Sequence, residues 1–210
     1  MRKALLISPH FDDAVLSAGQ LLSSRPNIDV ITVFAGEPKE IVTTPYDEKC
    51  GFKDSKDAVA VRRLEDKEAL ALLKANPIHL DLTDGQYSED NDYNKLKRDL
   101  IKIINNEDYE YIVAPLGLGH PDHIKVSDIV VDISKKIGIP IYFWEDMPLR
   151  VVEPELVYPR LKELKLTSLV HLGTGSMTDK IRALSCYRSQ IGTGVLDPYV
   201  MYVPERFWRV

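Results

Sequence analysis

Two short stretches of the chain carry the residues best suited to chemistry. SPHFDDAVLSAG, residues 8–19, supplies His10, Asp12 and Asp13. GLGHPDHIK, residues 117–125, supplies His120, Asp122 and His123, and so holds two of only five histidines in the chain. A catalytic zinc ion takes three nitrogen or oxygen ligands and keeps one position open. One histidine and one carboxylate from the first stretch, with one histidine from the second, would make such a set. A carboxylate left over could take a proton from water. A spare histidine could stabilise an oxyanion or protonate a leaving group. Iron(II) suits two histidines and one carboxylate as well as zinc does.

The same residues have plainer uses. Aspartate is a preferred helix N-cap, so Asp12 or Asp13 could cap a helix starting near Ala14, and Asp122 the helix that follows it. His10 would then be a core histidine with satisfied hydrogen bonds. Position favours joint use. Each stretch follows a short apolar run, and in an open parallel sheet ligands bind beyond the carboxyl ends of the strands. The stretches lie roughly 110 residues apart, yet one sheet edge would bring them together.

The elements that must do this are legible in the pattern. Apolar runs predict strands over 3–8, 29–35, 78–82, 109–116 and 141–144. Helical spacing predicts helices over 14–24, 58–75, 93–105 and 122–137, the last ended by Gly138 and Pro140. This βαβαβ order implies an α/β, Rossmann-like fold, a mostly parallel sheet with helices on both faces. The polar stretch from Gly36 to Asp57 is too long for an ordinary connection, and such loops are functional or disordered. After Arg150 the pattern weakens to two helices, over 156–164 and 179–187, and an irregular aromatic tail.

Composition bounds the partners. The 210 residues suit one domain. A net charge of -5 without a basic run argues against nucleic acid and anionic membrane surfaces. No segment is long and apolar enough for membrane insertion. Two cysteines, Cys50 and Cys186, lack metal spacing and fit a reducing cytoplasm. The basic start resembles a signal peptide, but its apolar run is too short. These features suggest a cytoplasmic protein acting on a small molecule, with homo-oligomer formation left open.

On these residues the chain resembles the PIG-L/LmbE-like N-acetylglucosaminyl deacetylases. SPHFDDAVLSAG is similar to that family's His-Pro-Asp-Asp-Glu loop, and GHPDH to its His-x-Asp-His motif. RRLEDKEALALL resembles its Arg-x-x-Glu helix, and KIRALSCYRSQ its Lys-x-x-Ala-x-x-x-Tyr-x-Ser-Gln closing pattern. The resemblance implies a single LmbE-like deacetylase domain over residues 1–210. It implies that His10, Asp13 and His123 bind zinc, that Asp12 is the general base, and that His120 stabilises the oxyanion or acts as acid. It also implies Arg62 and Asp84 as residues holding the sugar, although a solvated charge and an Asp-Gly turn would explain them too. Phe11 and Ala14 replace the usual proline and glutamate, and neither is a proposed ligand or base. The tyrosine that some members place ahead of the second motif is absent, Gly119 and Leu118 standing there. Tyr187 and the pair Glu145 and Asp146 are candidates to replace it, although that acidic pair also reads as a solvated turn.

The resulting expectation is a zinc-dependent hydrolase that removes acetyl from an N-acetylated amino sugar or its conjugate. The alternatives are a metal-dependent amidase on a non-sugar acyl amide, or a retired module that only binds a sugar or nucleotide. No G-x-G-x-x-G or G-x-x-x-x-G-K-[ST] stretch supports a nucleotide.

Overall fold

The computed structural model describes residues 2–88 and 90–209. Its elements run β1 (Lys3–Ser8), α1 (Asp13–Ser24), β2 (Ile28–Thr32), α2 (Pro45–Cys50), α3 (Ser55–Leu72), β3 (Asn76–His79), α4 (Tyr93–Asn106), β4 (Tyr109–Pro115) and α5 (Pro121–Ser134). They continue with β5 (Ile141–Trp144), α6 (Leu149–Val152), α7 (Val157–Leu164), β6 (Ser168–Val170), α8 (Met177–Leu184), α9 (Pro198–Met201) and β7 (Phe207–Arg209). The seven strands lie in the order β3-β2-β1-β4-β5-β7-β6. The first five are parallel, and β7 runs antiparallel to both of its neighbours. The α/β, Rossmann-like architecture expected from the sequence is therefore present.

Alternation along the central strands builds two cores. Ala4 and Leu6 of β1 face one cluster with helix residues Leu16, Leu21, Ala69, Leu70 and Leu184. Leu5 and Ile7 face the other, with Leu96, Leu100 and Ile104 of α4 and Val126, Val130 and Ile133 of α5. Because both faces are covered, β1 reads as a continuous apolar run instead of an alternating one. On α4 the buried residues fall four apart, and burying each stabilises the fold by roughly 1.5–3 kcal/mol.

The strand order reverses between β1 and β4, because β1 leads outward to β2 on one side and β4 to β5 on the other. A crevice opens at the carboxyl end of such a switch point. The loops leaving these two strands carry His10, Asp12 and Asp13 on one side and His120, Asp122 and His123 on the other.

Some boundaries differ from expectation. The third strand is 76–79, not 78–82, and includes Pro77. It pairs only with β2, and an edge strand tolerates a residue with no N–H. The helix after β4 stops at Ser134, short of Ile137. The tail, expected to be irregular, contributes β7, which with β6 completes the sheet. Three-residue strands are too short to show a period. Among the described residues, no helix is long and apolar enough to cross a membrane.

Candidate active site

The loop after β1 is shaped by its own side chains. Ser8 Oγ donates to the His10 carbonyl at 2.6 Å and accepts the Ala14 N–H at 3.0 Å. Asp13 Oδ2 accepts the His10 N–H at 2.7 Å. Asp12 occupies the N-cap of α1, yet its side chain makes no capping hydrogen bond. The capping reading therefore fails for Asp12, and Asp13 is directed back at His10. At the second loop the cap of α5 is His120, whose Nδ1 accepts the Asp122 N–H at 3.2 Å. Asp122 instead lies 3.0 Å from His10 Nε2 and accepts the Gly85 N–H at 3.0 Å.

These two loops converge on one point. His10 Nδ1 lies 3.2 Å from Asp13 Oδ2, His123 Nε2 lies 3.2 Å from the same oxygen, and the two nitrogens are 3.3 Å apart. Ligands bound at ~2.0–2.1 Å around a tetrahedral zinc ion are separated by about 3.3 Å. The triangle thus has the edge lengths of one face of that tetrahedron, and its donor types are those of a catalytic site. All three residues are buried.

The other residues singled out by sequence line the same cavity of about 360 Å³: Asp12, Arg62, Asp84 and His120. Arg62 Nη2 donates to Asp12 Oδ1 at 3.3 Å, its Nη1 lies 3.9 Å from Asp84, and its buried Nε has no partner. Burial raises the Asp12 carboxyl above the usual carboxylate range, against the pull of the Arg62 charge. That makes it a stronger base than a solvated aspartate. Burial and the neighbouring His10 and His123 rings lower the His120 imidazole. With Nδ1 accepting a backbone N–H, neutral His120 carries its proton on Nε2. Burial also disfavours charge on His123, but the carboxylates of Asp13 and Asp146 outweigh it and raise that ring to about 9.

The polar stretch 36–57 folds into a wall. Thr44 and Asp47 form a capping box on α2, and Tyr87 donates to Asp47 at 2.7 Å. Tyr46 reaches the cavity and donates to Gln190 Oε1 at 2.6 Å. The phenol in the cavity is thus Tyr46. Tyr187 is wholly buried behind the loop, within hydrogen-bond reach of the Phe11 carbonyl and Asp66 Oδ1, both at 2.9 Å. Glu145 and Asp146 are buried, not a solvated turn. Glu145 accepts the Trp208 indole N–H at 2.8 Å and pairs with Arg150 at 3.1 Å. An apolar side, Met147, Pro148, Leu149 and Val195, completes the cavity. Sequence reasoning missed Tyr46 and this apolar side, and carried Gln190 only as the end of the closing pattern, with no role. For Tyr46 the one legible signal was that the long loop follows β2 at the same sheet edge.

The model of the PIG-L family, GlcNAc-PI de-N-acetylase, matches residues 5–134. The 2'-N-acetylparomamine deacetylase of Niallia circulans is 24% identical over 249 residues, covering 99% of this chain and 90% of that protein. The zinc-inhibited form of teicoplanin deacetylase superposes with a TM-score of 0.84 at 24% identity, over 98% of this chain and 97% of the other. The A40926 pseudoaglycone deacetylase superposes with a TM-score of 0.82 at 26% identity, over 99% of this chain and 96% of the other.

Proposed function

The chain belongs to the PIG-L family of de-N-acetylases, and from that premise we propose that residues 1–210 form one cytoplasmic domain that removes acetyl from an N-acetylated amino-sugar conjugate with the help of a divalent metal ion, zinc in the first instance. The triangle of His10 Nδ1, Asp13 Oδ2 and His123 Nε2, with edges of 3.2–3.3 Å, is the observation that carries this reading. The relatives named as deacetylases of N-acetylparomamine and teicoplanin support the substrate class. Free Cys50 and Cys186 suit a reducing compartment.

His10, Asp13 and His123 would hold the metal, which when bound polarises an amide carbonyl and acidifies water. The rest of the reaction falls to the chain. Asp12 takes a proton from the attacking water as its oxygen bonds to the amide carbon. Burial raises the basicity of Asp12, while Arg62 keeps it oriented. The Nε2–H of His120 donates to the oxygen on which negative charge develops, a role that a neutral imidazole performs well. The carbon–nitrogen bond then breaks, the proton held by Asp12 goes to the departing nitrogen, and acetate and a free amine result. Arg62 and Asp84 offer a donor and an acceptor to sugar hydroxyls at the cavity wall. The test is acetate release by zinc-loaded protein across a panel of N-acetyl amino-sugar conjugates. Turnover of at least one conjugate, lost in His120→Gln, is expected. Turnover of only non-sugar acyl amides would overturn the sugar assignment.

A further inference from the structure

His123 is held from two sides. Its Nε2 forms one corner of the ligand triangle, and its Nδ1 lies 2.6 Å from Asp146 Oδ1. Asp146 follows β5, is wholly buried, and does not line the cavity. Its second oxygen accepts the Gly117 N–H at 2.8 Å and the Leu118 N–H at 3.3 Å. Those backbone groups can only donate, so Oδ2 must be an acceptor. The carboxylate therefore sits between a backbone turn and an imidazole, and it offers each of them acceptor oxygen.

An acceptor facing Nδ1 keeps a proton there, so that when a cation replaces the proton between Nε2 and Asp13 Oδ2 it is Nε2 that offers its lone pair. The opposite tautomer would carry a proton on Nε2, where a cation needs electrons. The turn held by Oδ2 leads within three residues to His120. At its start Gly117 has a φ of +85°, and a Cβ there would lie 2.8 Å from Ser127 Cβ, so only glycine fits this turn against α5. We infer that Asp146 is a positioning residue that locks His123 in the Nδ1–H tautomer for metal ligation and, through the Gly117 turn, sets the placement of His120. One buried group from just past the end of a third strand thus governs both a ligand and the oxyanion donor. This rests on the metal centre proposed above. Neighbouring Glu145 points to a different task, since its partners are Trp208 and Arg150.

The test is Asp146→Asn, read by zinc affinity in competition with a chromophoric chelator. Asparagine keeps the shape and can still accept from Gly117. Its amide NH₂ then faces Nδ1, which must become the acceptor, and the proton moves to Nε2. Zinc should bind about 10- to 100-fold more weakly, with the chelator-treated protein still folded. Glu145→Gln, a neighbouring buried change outside the site, should leave zinc affinity at the wild-type value. A structural role alone would lower the melting temperature of Asp146→Asn and spare its zinc affinity, and that result overturns the inference. Should Asp146→Asn fail to fold, ¹⁵N-histidine spectra of the metal-free wild type, taken at a pH where the His123 ring is neutral, decide. A protonated Nδ1 on His123 supports the lock, and an unprotonated Nδ1 overturns it. Acetate release enters neither readout, so a failed substrate assignment is told apart from a failed role for Asp146.

Discussion

The two loops that meet at the ligand triangle are supported in different ways. The loop after β1 holds part of its own shape: Ser8, His10, Asp13 and Ala14 hold one another across separations of two to six residues, with Phe34 and Tyr187 bonding the Pro9 and Phe11 carbonyls from outside. The loop after β4 borrows its support from Asp146, 23 residues beyond His123 and just past the end of β5. A local device leaves its mark in a short motif. A tertiary device leaves only a residue at the end of a strand, which looks like any turn.

The largest effect expected at either loop comes from Asp12, the base proposed above. Asp12→Asn keeps the shape of the first loop but cannot take a proton, and should lower kcat by about 10²- to 10⁴-fold, measured as acetate release at saturating substrate. Zinc content should stay near that of the wild type, because Asp12 lies outside the triangle. A variant that lost its zinc instead would erase the division of labour between Asp12 and Asp13.

The self-support of the first loop predicts a smaller, purely structural effect. Ser8→Ala removes a hydroxyl that is fully buried and leaves the His10 carbonyl and Ala14 N–H without that partner. Stability to urea should fall by about 2 kcal/mol. An unchanged midpoint would mean that the bonds from outside suffice to hold the loop, and the contrast with the β4 loop would weaken.

A third expectation concerns pH. His123 lies between Asp13 of the first loop and Asp146 beyond the second, and is raised to about 9 against an ordinary value of 6.5. The folded chain then binds more protons than the unfolded chain between those values. Stability of chelator-treated protein should be fully supported below pH 6.5 and fall as pH rises toward 9. Zinc-loaded protein should lack this decline, because ligation requires the deprotonated ring. Melting curves across that range, with and without chelator, test both halves.

How much was legible in the sequence follows the same divide between local and distant causes. β1 and β5 have the expected bounds, and the seven residues to which the resemblance gives roles line the cavity, while Asp122, Tyr187, Glu145 and Asp146 do not. Period and strand-end position suffice for the strands and the two loops, whereas Arg62 and Asp84 entered through the family resemblance. The weaker helix and tail motifs turn out to be one joint. Glu65 of α3 accepts from the Ser189 N–H and hydroxyl, and Asp66 lies beside Tyr187. Their residue types were visible, but their pairing required the fold. Tyr46 was hidden because the long polar stretch has no period, and its shape depends on contacts with Tyr87 and Gln190. β6 and β7 were hidden because three residues carry too little pattern, and the sheet edge selects them.

The central claim is that two loops distant in sequence close on one divalent cation. Elemental analysis of protein purified without chelator, wild type beside Asp13→Ala and His123→Ala, tests it most directly. The account predicts about one zinc or iron ion per wild-type chain, lost in both variants while the fold persists. Wild-type protein that takes up no metal even after reloading, or a variant that keeps its full complement, would contradict it.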